Sequence, residues 1–500
     1  MAPWVKASTV SSGVDGDDDV YPLHMLDDTK GCREFFLAWT LRFNDVLDAQ
    51  KLQESLTRLL EIGDWRKLGG RLRINANGRL ELHVPKQFTS WRPAVTFSCE
   101  TSSSHLPIDE HPLAGRLPKA MSQPSLQAGA NQFRQFAVKS DVTSTIKDAI
   151  ANDVPQLSLH ITSFSDATLV GISFPHTLMD ALGFEALLRS WSLVLAGHAD
   201  EVPPILGASN DILWETAAGS GGTKVEEDFI LGRNLIRGAA ATKFLLRFSW
   251  DAVRNPIIKA QALYLPKAAV DQLRSRAMDN IADAPQGHIH EKAFVSDGDV
   301  LTAWMTQIIA SSEPHPRPVT ILRAVNARFR LASLLQTPNK GVYVQNMVLA
   351  SFTSLPPKIV RGPLGMIALE SRRQLSEQTQ KPQMIMLLQR LRQKLEKGRE
   401  PNILSGDPDA LPIVSNDLTK ANVIGITNFK DAVVRQGDVT KSRINPLGTM
   451  VYHHMQSLSR PSWKGHWFVI LGKDHQGGTW IMVALTRKSA IKLEEAVKNM

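Results

Sequence analysis

The stretch Thr168-Leu-Val-Gly-Ile-Ser-Phe174 is apolar at nearly every position. A strand with no polar parity has no face to offer water, so both of its faces must be covered by other elements. Before it, Leu157, Leu159 and Ile161 alternate with Ser158, His160 and Thr162 and predict a neighbouring strand, joined by a turn at Ser165-Asp166. After it, Pro175 and His176 lead into a helix marked by Phe184, Leu187, Leu188, Trp191 and Leu195. A junction of this kind holds a reactive side chain rigidly at a strand end.

The rest of the chain alternates in the same way. Phe35, Leu37, Trp39, Leu41 and Phe43 occupy the odd positions of a strand with one buried face, and Leu52, Leu56, Leu59 and Leu60 form a helical stripe ending near Gly63. Asn77-Gly78 between Arg71–Ile74 and Arg79–Val84 predicts a tight hairpin. In the second half the pattern gives a strand over Ala262–Leu265, a helix entered at Pro266, and a helix over Val300–Ile309 opened by the capping box Ser296-x-x-Asp299. A late hairpin follows, Trp467–Leu471 and Thr479–Leu485 across Gly477-Gly478. From Gly197 to Glu227 periodicity fails and Pro, Gly and acidic residues take over. The expected division is therefore a domain over 1–196, a crossover linker over 197–227 and a domain over 228–500, a mixed α/β fold.

Composition excludes several classes. With 57 Lys+Arg against 49 Asp+Glu, the net charge of +8 is spread without a basic run, which gives solvated faces and no nucleic-acid footprint. Two cysteines in 500 residues, Cys32 and Cys99, build neither a disulfide framework nor a four-thiolate zinc site; free thiols in a reducing compartment are expected. The N-terminus has no secretory pattern, and no run of 18 apolar residues occurs, so the expected location is the cytoplasm, with no transmembrane segment.

The sharpest local pattern is Ser173-Phe-Pro-His176-Thr-Leu-Met-Asp180-Ala-Leu-Gly183. An imidazole titrates near neutrality, and an acid four residues on can orient its loop. Taken alone, the spacing fits a satisfied structural pair better than a site. His453-His454 lacks the spacing of a metal site and reads as a surface or core pair, so no metal is expected. His288-x-His290 reads as a loop. Phe229–Trp250 mixes Leu, Ile and Phe with Arg and Lys; it fits a helix over the crossover better than a segment on a membrane surface.

Several blocks then occur in one order: Leu52-Gln-Glu-Ser-Leu56 leading to Leu68-Gly-Gly-Arg-Leu72, His176-x-x-x-Asp180, Asp299-Val-Leu-Thr-Ala-Trp304, Asn326-Ala-Arg-Phe-Arg330, Tyr343-Val-Gln-Asn346, Thr427-Asn-Phe429 and the closing hairpin. Together they resemble the BAHD-type acyl-CoA-dependent acyltransferases, in their fungal secondary-metabolite O-acetyltransferase branch. The resemblance implies two chloramphenicol-acetyltransferase-like mixed-sheet domains with a channel between them. Acyl-CoA, most simply acetyl-CoA, enters from one side as a co-substrate, and a small-molecule alcohol, such as a terpenoid, polyketide or alkaloid, enters from the other. His176 becomes the general base. Asp180 and Gly183 become structural motif residues, with Arg323 or Arg328 as the partner of Asp180. Thr427, Asn428 and Asn346 become candidates for the oxyanion site or the channel wall. A monomer with no bound cofactor is expected.

The chain departs from the family at two places. Asp297 stands where many members carry an Arg, and the second signature, Asp-Phe-Gly-Trp-Gly, is absent, with Asp438 in Gly437-Asp438-Val439 as its weak remnant. These departures leave a catalytically inactive binding protein of the same fold as an alternative. A carrier-protein-dependent condensation-like enzyme is another, although Pro175 stands where such domains carry a second His.

Overall fold

The computed structural model describes residues 18–219, 228–255, 258–284, 294–333, 335, 341–440, 443–459 and 463–500. Strand β1 (Phe36–Phe43) leads to helix α1 (Ala49–Leu59). The hairpin of β2 (Arg71–Ile74) and β3 (Leu80–Val84) follows, then β4 (Thr96–Glu100) and β5 (Ser125–Ala128). Next come β6 (Ser158–Ser163), β7 (Thr168–Pro175) and α2 (Ala181–Leu195). Helices α3 (Ile212–Gly219) and α4 (Ala239–Arg254) connect to β8 (Ile258–Leu265), α5 (Lys267–Ala282) and α6 (Asp297–Ser311). Then follow β9 (Val319–Asn326), β10 (Val348–Leu355), α7 (Leu364–Gln378), α8 (Lys381–Glu396) and β11 (Leu411–Asp417). The chain closes with β12 (Met450–Ser457), β13 (His466–Lys473), β14 (Thr479–Thr486) and α9 (Arg487–Lys498).

Two mixed sheets organise these elements. One has the order β12-β1-β7-β6-β4, the other β10-β9-β11-β13-β14-β8-β5. The sheets do not follow the division of the chain at the crossover: β5 from the first half edges the second sheet, and β12 from the second half edges the first. Each half thus supplies one strand to the other, so neither sheet is complete in residues 1–196 or 228–500 alone. Residues 197–219 also carry more regular structure than their composition suggests. Within them, α3 buries Leu213 and Ala217 in one apolar cluster with Met384, Leu387 and Leu391 of α8.

Strand β7 is buried along its whole length, as its sequence requires. Strand β1 differs from its alternating pattern. Thr40 and Arg42 on its polar parity are as buried as Trp39 and Leu41, because β1 lies between β12 and β7 with cover on both faces. One face carries Trp39, Leu41, Phe43, Ile172 and Phe184 in the main apolar cluster. The opposite face carries Ala38, Thr40 and Arg42, with Ser173 and Gly171 alongside on β7 and Gln456, His454 and Tyr452 on β12. Gly171 is required there: a Cβ would stand 2.3 Å from the carbonyl oxygen of Ala137, in the segment laid over this face.

The capping box forms as read: Ser296 Oγ accepts from Asp299 N at 3.3 Å, while the Asp299 carboxylate accepts from Ser296 N at 3.0 Å. The turn glycines Gly78 and Gly477 take φ of 73° and 79°. Helix α4, expected over the crossover, instead lies on the second half. Phe248 packs on Trp463 at 4.9 Å, Arg317 binds Asp251 at 2.7 Å, and Lys243 binds Asp409. His288 and His290 lie outside the described residues. Cys32 and Cys99 are free thiols. No helix among the described residues is long and apolar enough to cross a membrane.

The two halves are also tied by Asp45, just beyond β1. Its fully buried carboxylate accepts both Arg443 guanidinium nitrogens at 2.7 Å and the Gly448 amide at 2.9 Å. Removing one partner of a buried ion pair costs about 3–5 kcal/mol. Asp45→Ala should lower the midpoint of urea unfolding by a corresponding amount without changing the slope, measured by tryptophan fluorescence.

Candidate active site

His176 follows β7 directly, and its backbone is pinned at both ends. Its N–H donates to Phe35 O at 2.8 Å, and its carbonyl accepts from Asn346 Nδ2 at 2.8 Å. The next turn closes through Leu178 N to Pro175 O at 2.9 Å. Between Ala167 and Asp180 every residue is buried except His176, which is partly accessible. The ring meets Phe35 edge-on at 6.5 Å. Among the described residues Nδ1 is buried with no hydrogen-bond partner, while the side chain as a whole stays partly accessible. The imidazole is therefore held by its backbone while its side-chain nitrogens are unengaged.

Asp180 is turned away from that ring. As N-cap of α2, its Oδ1 accepts from Leu182 N at 3.1 Å and Gly183 N at 3.0 Å. Its Oδ2 accepts from Arg328 Nη1 at 2.7 Å, Met347 N at 3.0 Å and Asn326 Nδ2 at 3.3 Å. Of the two arginines expected from the sequence, Arg328 is thus the partner; Arg323 pairs instead with Asp299 at 3.4 Å. Arg328 also donates to the carbonyls of Tyr343 at 2.8 Å and Gln345 at 2.6 Å, fixing the segment that carries Asn346. Gly183 is needed because a Cβ would come 2.2 Å from Val344 O. Asp297, where the family often has Arg, binds Lys473 at 2.9 Å and Arg274 at 3.3 Å.

Asn346 is brought to His176 through its backbone. Both amide hydrogens of its side chain are engaged, one by His176 O and one by Asp27 Oδ1 at 2.9 Å, which leaves none for an oxyanion. Thr427 and Asn428 are not brought to the ring. Thr427 Oγ1 donates to Val423 O at 2.8 Å, and Asn428 N donates to Ser192 Oγ at 3.1 Å. Ser192 is 12 residues along α2 from Asp180, about 18 Å at 1.5 Å per residue. Asp438 lies at the far end of the first sheet, where its Oδ1 accepts from Thr440 Oγ1 at 2.7 Å. It lines a cleft of about 240 Å³ with Arg42, Lys119, Arg443, Tyr452 and His475.

Sequence reasoning missed Asp27. It is buried, takes the Asn346 amides and the His24 N–H, and has its carboxyl pushed up by burial. No spacing links Asp27 to His176 across 149 residues, so only the folded chain reveals it. The hydroxyls of Ser173 and Thr177, flanking His176, are buried without partners, and their place beside the motif was the available signal.

His453 and His454 are neighbours on β12 and so point to opposite faces. His453 stacks on Trp39 at 5.4 Å, and His454 stands 5.9 Å from Phe133. Burial lowers the first to about 4; burial, with His453 beside it, lowers the second to about 3.

Comparison with known proteins places the chain in a family. The family model described as "Transferase family" matches residues 128–415. The chain is 36% identical to O-acetyltransferase PaAT-2 of Phomopsis amygdali, over 97% of this chain and 98% of that one. It is 33% identical to acetyltransferase pyiB of Pyricularia grisea, over 96% and 94%. Among solved structures, F. graminearum TRI101 complexed with coenzyme A and T-2 mycotoxin superposes with a TM-score of 0.64, 13% identity, and coverage of 95% and 97%. The chain belongs to the transferase family of BAHD-type acyltransferases, with fungal acetyltransferases among its relatives, and has the fold of the TRI101 enzymes.

Two outcomes follow. Removing Asp180 leaves the half-buried Arg328 without its ion partner, so Asp180→Ala should cost about 3 kcal/mol and activity together, read by calorimetry and turnover; wild-type melting would refute the tie. For His453 and His454 the native state resists protonation while the unfolded chain binds protons below about 6.5, so stability falls as pH drops from about 6.5 towards 4 and levels off below about 3. His454→Phe should lose less stability than wild type over that window in urea titrations at each pH.

Proposed function

We propose that the chain transfers an acetyl group from acetyl-CoA to a hydroxyl of a fungal secondary metabolite, with His176 as general base. The observation that carries this reading is the His176 ring: pinned by its backbone, unengaged at its nitrogens, and accessible in an otherwise buried motif. The acceptor hydroxyl gives its proton to Nε2 as its oxygen attacks the thioester carbonyl carbon. The tetrahedral intermediate collapses with cleavage of the carbon–sulfur bond, and the imidazolium returns the proton to the departing thiolate. The oxyanion formed in between needs donors, and the unpartnered hydroxyls of Ser173 and Thr177 are the nearest along the chain.

The route for acyl-CoA follows from the polar face of the first sheet. Phe36 pairs with Pro175 at the His176 end of β1, and Phe43 pairs with Thr168 at the other, about 23 Å away at 3.3 Å per residue. The cleft lined by Arg42, Lys119, Arg443 and Asp438 lies at that far end. Between the two ends, Thr40 Oγ1, both nitrogens of His454, Gln456 Nε2 and Ser173 Oγ are buried without protein partners. Buried polar atoms in native proteins are otherwise almost always paired. A pantetheine arm, extended and carrying two amides, would meet that need once the 130–137 segment, whose Ala137 carbonyl lies against Gly171, is parted from this face, with its phosphates at the cleft. The acceptor then reaches His176 from the opposite side.

The relatives' names support acetyl as the group carried, and the TRI101 complex with coenzyme A and T-2 mycotoxin supports a two-substrate channel. The test is purified protein with acetyl-CoA and an extract of the source organism, following free thiol and new acetyl esters by mass. His176→Ala should lower thiol release roughly 10²- to 10⁴-fold with an unchanged melting curve; unchanged turnover removes His176 from the role.

A further inference from the structure

A basin between α8, residues 235–237 and residues 399–404 belongs to no part of the acyl-transfer site. Leu235, Ile236, Ile403 and Leu404 line it, and its charged lining is Arg237, Arg390, Lys394, Lys397 and Arg399, around a volume of about 180 Å³. No Asp or Glu contributes to the lining. The nearest acids are turned elsewhere: Glu396 pairs with Arg392 at 2.8 Å, and Glu400 accepts from Lys30 N at 3.0 Å. Lys394 is occupied by Asn402 O, and Arg390 lies over the Phe229 ring at 4.4 Å. Among the described residues, none of the five cations is ion-paired. Five like charges around one cavity repel one another, and only an anion from outside the chain relieves that.

From Arg237 on the rim, the chain passes through Gly238 into α4. The inner face of α4 is anchored by Phe248 on Trp463, and Phe244 stacks on Phe248 at 6.1 Å. Its outer face exposes Leu245 at 60%, Leu246 at 69%, Trp250 at 55% and Val253 at 72%. Leu246, Trp250 and Val253 fall at i, i+4 and i+7 and so form one stripe. Arg247 flanks the stripe, and the Arg254 guanidinium lies 5.8 Å over the Trp250 ring. Large apolar side chains set among arginines, on a helix with no buried residue, are the make-up of a helix lying in a membrane interface.

We propose that this surface docks the protein peripherally on an anionic phospholipid membrane. The basin receives phosphate-bearing headgroups, and the outer face of α4 enters the boundary between headgroups and acyl chains. Charge selects the lipid, because clustered Lys and Arg bind anionic leaflets, while the apolar stripe supplies the part of the affinity that salt does not screen. A soluble phosphate compound would use the basin and leave the exposed stripe without a purpose. The inference stands apart from the acyl-transfer reading, since it shares no residue with it.

The test is co-sedimentation of the full chain with vesicles of phosphatidylcholine alone and of phosphatidylcholine with phosphatidylserine. Binding is expected to the second and to fall as salt rises. Arg237→Ala with Arg399→Ala should weaken it roughly 30-fold, and Leu246→Ser with Trp250→Ser should weaken it at both low and high salt. None of these four side chains is buried, so both double variants should keep the wild-type melting curve. Equal pelleting with both kinds of vesicle, or no loss in the arginine variant, overturns the proposal. So does stabilisation of the protein by inorganic phosphate without any vesicle binding, which would assign the basin to a soluble anion.

Discussion

The carboxylate of Asp180 is the interaction on which the site depends. It accepts five hydrogen bonds, two from the first turn of α2 and three from Asn326, Arg328 and Met347 in the second half of the chain. A charged acceptor with that many donors is a strong local constraint, since hydrogen bonds to ionised groups are shorter and stronger than neutral ones. One group thereby sets the start of α2 and the register of the second half against it. Arg328 carries the constraint onward to Tyr343 and Gln345, and Asn346 returns it to the carbonyl of His176. The loop of His176 is closed by a circuit of polar contacts that includes neither ring nitrogen. A side chain used to hold a loop is unavailable for chemistry; here the holding is delegated.

How much of this was legible in the sequence depended on whether the determinant was local. The burial of β7 followed from its unbroken apolar run, and the capping box from two residues three apart. Asp180 and Gly183 were legible only as structural motif residues through the resemblance; that Asp180 caps α2 emerges from its hydrogen bonds to Leu182 and Gly183. The alternation in β1 misled for a physical reason. Thr40 and Arg42 read as a solvent face, yet the second sheet and residues 130–137 cover them, and strand periodicity reports polarity, not exposure. Strand exchange by β5 and β12 was beyond a sequence reading, because nothing in a strand's own residues says which sheet it will edge. Asp27 was invisible because its partner is 319 residues away.

The candidate oxyanion donors show the limit of carrying roles along a chain. Asn346 was singled out as a channel residue and stands at the motif, but its amide is consumed in holding the loop. Thr427 and Asn428 sit towards the other end of α2, where the Thr427 hydroxyl closes its own turn on Val423 O and the Asn428 backbone N–H donates to Ser192 of the helix. The donors left over are the ones without partners. A polar atom that folding buries and does not satisfy carries a cost, and among the several such atoms in the described residues a group lies along one face of the first sheet, from Thr40 to Ser173.

The absent second signature raises the question of what replaces it. The resemblance assigns that motif to architecture and the passage of coenzyme A, and the sequence offers only Gly437-Asp438-Val439 as a weak remnant of it. Gly437 is packed so closely that a Cβ would meet the carbonyl oxygens of Asp166 and Asn44, so the backbone there is as constrained as a glycine-rich motif would make it. Six residues on, Arg443 engages Asp45 through two parallel hydrogen bonds, and Gly448 donates to the same carboxylate. The loop is thus fixed at both ends to the strand end beside Arg42 and Asn44. One buried acid and one arginine, with the amide of Gly448, anchor this loop to the first sheet, and Arg42, Lys119 and Arg443 line the cleft beside it.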